Sequence, residues 1–197
     1  MFGSQCIVAS IEAKKRDFDS DQRYKYYKGY EKSEFIFPKH GKYEAWVDYG
    51  RQPTGIDVFK WAKQVVELGA GEIYLSSVDR DGTGHGFDLD LVSEVASNSI
   101  VPVICSSGSG KLSHFKEAIQ CGADAVSAAS IFHYKYAEKV QTDFMSYNRE
   151  KLRMGSQIDS GNIEFLKSGY GGFEQIQVEP LTISNVKDHL DKNGIEV

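Results

Sequence analysis

The chain has 197 residues and a formal net charge of −5, a length that fits one domain or one domain with an elaboration. Hydrophobic residues make up 41% and charged residues 26%, which excludes a wholly disordered chain. The acidic balance argues against a nucleic-acid-binding surface over the whole protein. Because no run approaches about 18 apolar residues and the N-terminal MFGSQCIVAS lacks a basic leader, neither a membrane span nor a signal peptide is expected.

The cysteines and histidines indicate no metal or redox site. Cys6, Cys105 and Cys121 form no CxxC pair, so reduced thiols that pack in a cytoplasmic protein fit best. The histidines are scattered, at positions 40, 85, 114, 133 and 189. This spacing favours no metal cluster, and we expect neither a metal nor a cofactor.

Four short apolar runs rich in β-branched residues predict buried strands, apolar on both faces. They are Gln5–Ile11, Glu72–Val78, Val101–Cys105 and Ala125–Ala129. A helix is predicted before each of the last three. Strand–helix alternation with short connections indicates parallel βα units.

The predicted helices carry recognisable termini. Thr54 is the expected N-cap of the first helix, with Asp57 as its capping-box partner and Gly69 at its end. Asp88 is expected to begin the second helix, which ends at about Ser97. The third is predicted over Leu112–Gln120, closed by Gly122, and a last helix over Ile183–Lys192.

Two segments interrupt this alternation. Residues 14–43 hold nine Lys/Arg, five Asp/Glu and eight Phe/Tyr, and Glu34–Phe37 with Tyr43–Val47 predicts a β-hairpin. Nucleic-acid binding is the less favoured interpretation of these basic and aromatic residues. The second segment, residues 135–180, is polar and glycine-containing, with a helix predicted near Asp143–Leu152. We therefore expect one domain over 1–197, with a hairpin elaboration at 14–49 and an insertion at 135–180.

Polar side chains follow the predicted strands, where active sites of parallel βα architectures lie. The first strand is expected to end at Glu12, and the second is followed by Asp79 and Asp81. Three acids at strand ends suit general acid–base work on a phosphorylated substrate. The alternatives are a structural ion pair between Asp79 and Arg80 and an ordinary turn at Asp81-Gly82.

Small residues after the third and fourth strands predict a phosphate site. The turn Ser106–Gly110 and Ser130 would place backbone N–H groups and two helix N-termini around one anion. Two adjacent turns of this kind are stronger evidence than one glycine-rich turn. The alternative is that both are simply tight turns.

Long stretches of the sequence resemble the cyclase subunit of imidazole glycerol phosphate synthase. They are SQCIVASIEAKK, GRQPTGID, ELGAGEIYLSSVDRDGTGHGFDLDL and VPVICSSGSGKLSHFKEAIQCGADAVSAASIFH. The resemblance covers about Gly3–His133 and Leu181–Val197. It implies a (β/α)₈ TIM-barrel family member, an α/β fold, of which this chain has the four C-terminal βα units, a half-barrel.

The resemblance also implies a function. In this family a glutaminase partner sends ammonia through the barrel, where it reacts with a phosphorylated ribulosyl aminoimidazole carboxamide substrate to give imidazole glycerol phosphate. Position by position, Glu12 falls where the family has a catalytic aspartate. Ser76 and Asp81 fall on the substrate-facing rim, with Asp81 assigned a catalytic role. The remaining matches are the phosphate-binding residues Ser106, Gly108, Ala129 and Ser130, and Gln5 near the barrel interior.

Three departures from the family pattern affect the functional prediction. The other catalytic aspartate and a second phosphate site belong to the N-terminal half, which has no counterpart here. Glu12 is one methylene longer than aspartate, and Ser107 stands where the phosphate turn has glycine. The 135–180 insertion is not expected in the histidine-pathway enzyme.

These features leave three hypotheses. The first is a lyase that uses ammonia from a glutaminase. The second is an ammonia-channelling partner in the amidation of a surface-polysaccharide sugar, without cyclase activity, and the third is a structural half-barrel without turnover. We expect as partners a glutaminase subunit, a phosphorylated small molecule and either a second copy or a missing N-terminal half. Nucleic acid and membranes are not expected partners.

Overall fold

A computed structural model describes residues 3–16, 41–143 and 178–197. Its strands form one six-stranded sheet in the order β3-β2-β1-β4-β5-β6. The strands are β1 (Val8–Lys15), β2 (Tyr43–Val47), β3 (Gln52–Asp57), β4 (Glu72–Ser77), β5 (Val103–Ser106) and β6 (Ala125–Val126). The helices are α1 (Val58–Glu67), α2 (Leu89–Asn98), α3 (Leu112–Gln120), α4 (Ser130–Asp143) and α5 (Ile183–Lys192).

The four predicted strands are present and pair in parallel, in the order β1-β4-β5-β6. The first strand is displaced from its predicted position, because Gln5 lies in a 3-10 turn, Ser4–Cys6, and β1 continues to Lys15. The extension has a physical cause: residues 12–15 pair in antiparallel register with β2. The expected end of this strand at Glu12 is therefore wrong.

The hairpin of the structure joins β2 to β3. The expected helix start at Thr54 is wrong, since this residue lies in β3 and its hydroxyl donates to the Ala45 carbonyl at 2.6 Å. Helix α1 begins instead after Asp57, whose carboxylate accepts the N–H groups of residues 59 and 60, both at 3.1 Å. The predicted partner strand Glu34–Phe37 lies outside the described residues.

The other predicted helix boundaries are confirmed. Asp88 is the N-cap of α2, and α3 and α5 have the predicted bounds. Gly69 and Gly122 follow α1 and α3 with φ of +104° and +103°, the left-handed conformation that ends many helices. The helix predicted near Asp143–Leu152 extends beyond the described residues, and the boundaries 14–49 and 135–180 stay predictions.

The two faces of the sheet differ in composition. Ile11, Leu75 and Cys105 are in register across the three central strands and are buried on the side of helices α1, α2 and α3. The alternate positions point to the opposite face. That open face carries Ser10, Glu12, Lys14, Tyr74, Ser76, Ile104 and Ser106. The expectation that both faces are apolar is therefore wrong for the described strands.

No helix within residues 3–16, 41–143 and 178–197 is long and apolar enough to cross a membrane. The thiols in this part of the chain are free. Burial raises the pKa of the Cys105 thiol to about 12, so this side chain acts as a packing residue between β5 and the helices.

Candidate functional site

Three of the predicted site residues form one row across the open face of the sheet. Glu12 is in register with Ser76, and Ser76 is in register with Ser106. Neighbouring strands lie about 4.8 Å apart, so the backbones of the outer two residues are separated by roughly 10 Å. All three side chains are half-buried. Parallel pairing thus brings together residues that are 64 and 30 positions apart in the sequence.

The Glu12 carboxylate contacts the hairpin turn. Its Oε2 accepts the N–H of Gly50 at 2.7 Å. Gly50 belongs to the turn between β2 and β3, in which Asp48, Tyr49 and Gly50 all have positive φ. The hairpin therefore positions the carboxylate, a role that the sequence did not reveal because its partner is a main-chain group 38 residues away.

The two other predicted acids lie in the loop after β4. Asp79 accepts the backbone N–H of Lys15 through Oδ2 at 2.7 Å, so it joins the ends of β1 and β4. Asp81 is exposed in the next turn, beside Gly82. Both lie at the carboxyl ends of the strands, the same end of the sheet as the turn Ser106–Gly110.

Tyr74 is a further polar residue of the open face that sequence reasoning missed. Its hydroxyl donates to Ser106 Oγ at 2.8 Å and is 3.1 Å from Ser127 Oγ. It lies two residues before Ser76 on β4, so the period of two along a strand could have placed it on the same face. Through these two contacts, Tyr74 connects the carboxyl ends of β5 and β6.

The turn after β5 has the backbone of a glycine-rich turn. Ser107 has a φ of +77° and Gly108 a φ of +101°, so the position where the family has glycine here holds serine in a left-handed conformation. Gly108 is in close contact with the loop before α2. A Cβ built on it would lie 2.4 Å from the Gly86 carbonyl oxygen, while the Gly86 N–H donates to the Gly108 carbonyl at 2.7 Å.

The second predicted phosphate turn follows β6, the neighbour of β5 in the sheet. Ala129 is exposed, and its carbonyl accepts the N–H groups of Phe132 and His133 in the first turn of α4. Ser130 is the first residue of α4. The structure thus places both candidate turns at adjacent strand ends that lead into helices. Gln5 lies apart from them, exposed at the opposite end of β1.

His114 lies behind the turn after β5, and the sequence analysis assigned it no role. It is 7% exposed, and its Nδ1 accepts the N–H of Gly110 at 3.0 Å. Burial lowers the pKa of this imidazole. A histidine two residues after the start of α3 is only a weak sequence signal. Its contact with the preceding turn can be recognised only in the folded structure.

No group of three or more His, Cys, Asp or Glu side chains in the described part of the chain is arranged to hold a metal ion. The site instead combines a carboxylate, hydroxyls and two turns of small residues at one end of the sheet. Such a set can take up a phosphorylated molecule and exchange protons with it.

The sequence is similar to that of several curated proteins named imidazole glycerol phosphate synthase subunit HisF. The relative from Pyrobaculum aerophilum is 57% identical over 93 residues, which are 47% of this chain and 37% of that protein. Those from Gluconacetobacter diazotrophicus and Frankia casuarinae are 43% and 45% identical over 133 residues, 68% of this chain. The matches cover only 43% and 45% of these two relatives, so the chain spans less than half their length.

A family model described as "Histidine biosynthesis protein" matches residues 1–138. This range includes the four parallel strands, the hairpin and all of the predicted site residues. The mixed α/β fold with its parallel sheet fits the TIM-barrel family. Since the match extends over more than half of the chain, the protein belongs to the histidine biosynthesis protein family and is similar to the HisF subunit.

Proposed function

We propose that this protein is a cyclase-subunit-like component of imidazole glycerol phosphate synthase. It would bind a phosphorylated ribulosyl aminoimidazole carboxamide substrate at the carboxyl ends of its strands and use ammonia from a glutaminase partner. The observation that carries the proposal is the row of Glu12, Ser76 and Ser106 on the open face, which ends at the first residue of the turn after β5. The similarity to HisF subunits supports the reaction class.

The main chain of the first turn suits an anion. Within the described residues, the N–H groups of Gly108 and Ser109 are paired with no protein acceptor. Ser130 begins the neighbouring helix α4, whose N-terminus adds favourable potential for negative charge. In this proposal Ser106, Gly108, Ala129 and Ser130 bind phosphate, Ser76 contacts the substrate, and Glu12 and Asp81 move protons.

Titration of the chain with inorganic phosphate, followed by amide NMR, tests the phosphate site. We expect the resonances of Gly108 and Ser130 to move together, because both turns contact one anion. Ser130→Asp should abolish the shifts by charge repulsion, whereas Ser93→Asp, which adds the same charge on the exposed surface of α2, should preserve them. Shifts confined to surface lysines would contradict the proposal.

We expect this chain alone to form little imidazole glycerol phosphate from the substrate and ammonium salts. Glu12 is longer than the family's aspartate, and its carboxylate is bound to Gly50. A displacement of about 1 Å can lower a rate by roughly a hundredfold. Turnover near that of a complete HisF subunit, abolished by Glu12→Gln, would show that this expectation is wrong.

The relatives named above are all called synthase subunits, so the comparisons do not favour the alternative of sugar amidation without cyclisation. A glutaminase partner can be tested directly. Co-purification with a glutaminase subunit of imidazole glycerol phosphate synthase, and stimulation of its glutaminase activity, would support the proposal. A glutaminase subunit that neither binds nor responds would count against it.

A further inference from the structure

The turn between β5 and α3 is held at three points by three separate segments. The N–H of Gly110 donates to His114 Nδ1 at 3.0 Å, and its carbonyl accepts the N–H of Glu179 at 2.7 Å. The Gly108 carbonyl accepts the N–H of Gly86, also at 2.7 Å. Of these three contacts only the first is made by a side chain, so only that one can be changed by protonation.

The environment of His114 favours its neutral form. Burial is the main cause of its lowered pKa, and Lys111 and Arg80 lower it further, while Glu117 and Glu179 act in the opposite direction. A cavity of about 360 Å³ is lined by His114 and by His85. Because Nδ1 accepts a hydrogen bond, the proton of the neutral ring is on Nε2, on the side where a Cβ of Gly86 would lie 3.3 Å away.

We propose that His114 is a positioning residue for the anion-binding turn. The neutral imidazole accepts the Gly110 N–H and so sets the orientation of the main chain from Gly108 to Gly110, whose remaining N–H groups face the anion. Protonation turns Nδ1 into a donor, which removes this bond. The inference rests on the phosphate site of the proposed function and adds a residue that acts through the backbone without touching the ligand.

The experiment measures sulfate affinity of the full chain by amide NMR at Gly108 and Ser130. Sulfate is the probe because its charge is constant between pH 5 and pH 7.5, unlike that of phosphate. Two variants form the matched pair: His114→Asn keeps an acceptor oxygen near the place of Nδ1, and His114→Phe removes the acceptor. We expect Asn to stay within about twofold of the wild type and Phe to weaken binding about fivefold, the effect of one ordinary hydrogen bond.

A pH series provides a readout that a purely structural role would not change. Acidification from pH 7.5 to pH 5 should weaken sulfate binding in the wild type more than in His114→Asn. By charge alone an imidazolium near the anion would strengthen binding, so a fall identifies the lost hydrogen bond. All other side chains are the same in both proteins, so their contributions cancel in the comparison.

The outcomes separate the two proposals. A wild-type chain that binds neither sulfate nor phosphate would overturn the anion site, and the role of His114 with it. Equal affinity in wild type, Asn and Phe variants, with the same pH dependence, would overturn the role of His114 and leave the site intact. If His114→Phe does not fold, the pH comparison between wild type and His114→Asn decides.

Discussion

Gly108 is the residue at which the candidate site is most sensitive to a single added carbon. It has a φ of +101°, and a Cβ would lie 2.4 Å from a backbone oxygen of the neighbouring loop. That oxygen belongs to Gly86, so no side-chain rotation can relieve the overlap. The turn therefore depends on glycine for conformation and for space at the same position.

We predict that Gly108→Ala lowers the free energy of unfolding by about 2 kcal/mol more than Gly69→Ala, the typical cost of forcing an extra carbon into a packed site. Both positions have nearly the same φ, so both variants carry the same left-handed strain of about 1 kcal/mol. Only Gly108 adds a backbone overlap, because nothing lies within 4 Å of a Cβ at Gly69. Urea denaturation followed by circular dichroism measures the difference, and equal losses in the two variants would contradict it.

Ser107 departs from the residue type expected from the resemblance, but it has a backbone conformation that favours glycine. The resemblance predicted glycine there, and the structure gives this serine a φ of +77°. The serine adopts the backbone that glycine adopts without strain. The departure in sequence is thus accommodated by a left-handed backbone at Ser107.

At the scale of elements, the hairpin β2–β3 is the part that connects the site to the rest of the fold. Glu44, which is 4% exposed, accepts the Gly55 N–H at 2.8 Å and lies 3.9 Å from the Arg16 guanidinium. Tyr43 donates to the Asp88 carboxylate at 2.7 Å, which also caps α2. These contacts attach the hairpin to the end of β1 and to the start of α2. The turn of the hairpin then holds the Glu12 carboxylate through Gly50.

We predict that Glu12→Asp releases the hairpin turn. The shorter side chain cannot keep its carboxylate 2.7 Å from the Gly50 N–H without moving the strand. We expect a loss of about 1 kcal/mol in stability and faster hydrogen exchange of the Gly50 amide. Glu12→Gln is the control, because its amide oxygen can accept the same hydrogen bond. If the Gly50 amide of Glu12→Asp exchanges as slowly as in the wild type, the contact does not hold the turn.

At the scale of the whole molecule, the described sheet is open. Strand β1 pairs with β2 only through residues 12–15, so within the described residues Val8–Ile11 has no neighbour on that side. Strands β3 and β6 are the two edges of the described sheet. Because the open face is polar, burial of apolar surface there does not drive association. We expect association at the unpaired strand edges, whose N–H and C=O groups can pair with another strand.

We predict that the purified chain is not a stable monomer and pairs edge to edge with a second copy or with another chain that supplies further strands. Sedimentation velocity over a range of concentrations measures the oligomeric state. Substituting proline for Ser10 removes an N–H on the unpaired side of β1, away from β4, and should weaken the association. The control is Ser93→Ala on the exposed surface of α2, which should associate like the wild type.

Two results would count against this assembly. One is a well-folded monomer whose cooperative unfolding is independent of protein concentration. The other is a dimer joined only through the hairpin or through residues 135–180. Either would mean that the strand edges are protected within one chain.

The sequence by itself determined the parallel βα units, the start of α2, both ends of α3 and α5, and the candidate residues at the strand ends. These features depend on local patterns: apolar runs, N-caps such as Asp88, and left-handed glycines such as Gly122. Family resemblance added the expected roles of Glu12 and Ser130. Each of these signals lies within a few residues of the feature that it predicts.

The tertiary structure decided what depends on distant partners. Thr54 is in a strand because its hydroxyl bonds to Ala45 across the hairpin, and β1 extends to Lys15 because β2 pairs with it. The bonds from Gly50 to Glu12 and from Gly110 to His114 involve main-chain N–H groups, which every residue except proline carries. Sequence identity does not distinguish one such group from another, so only the fold determines which side chain each of them meets.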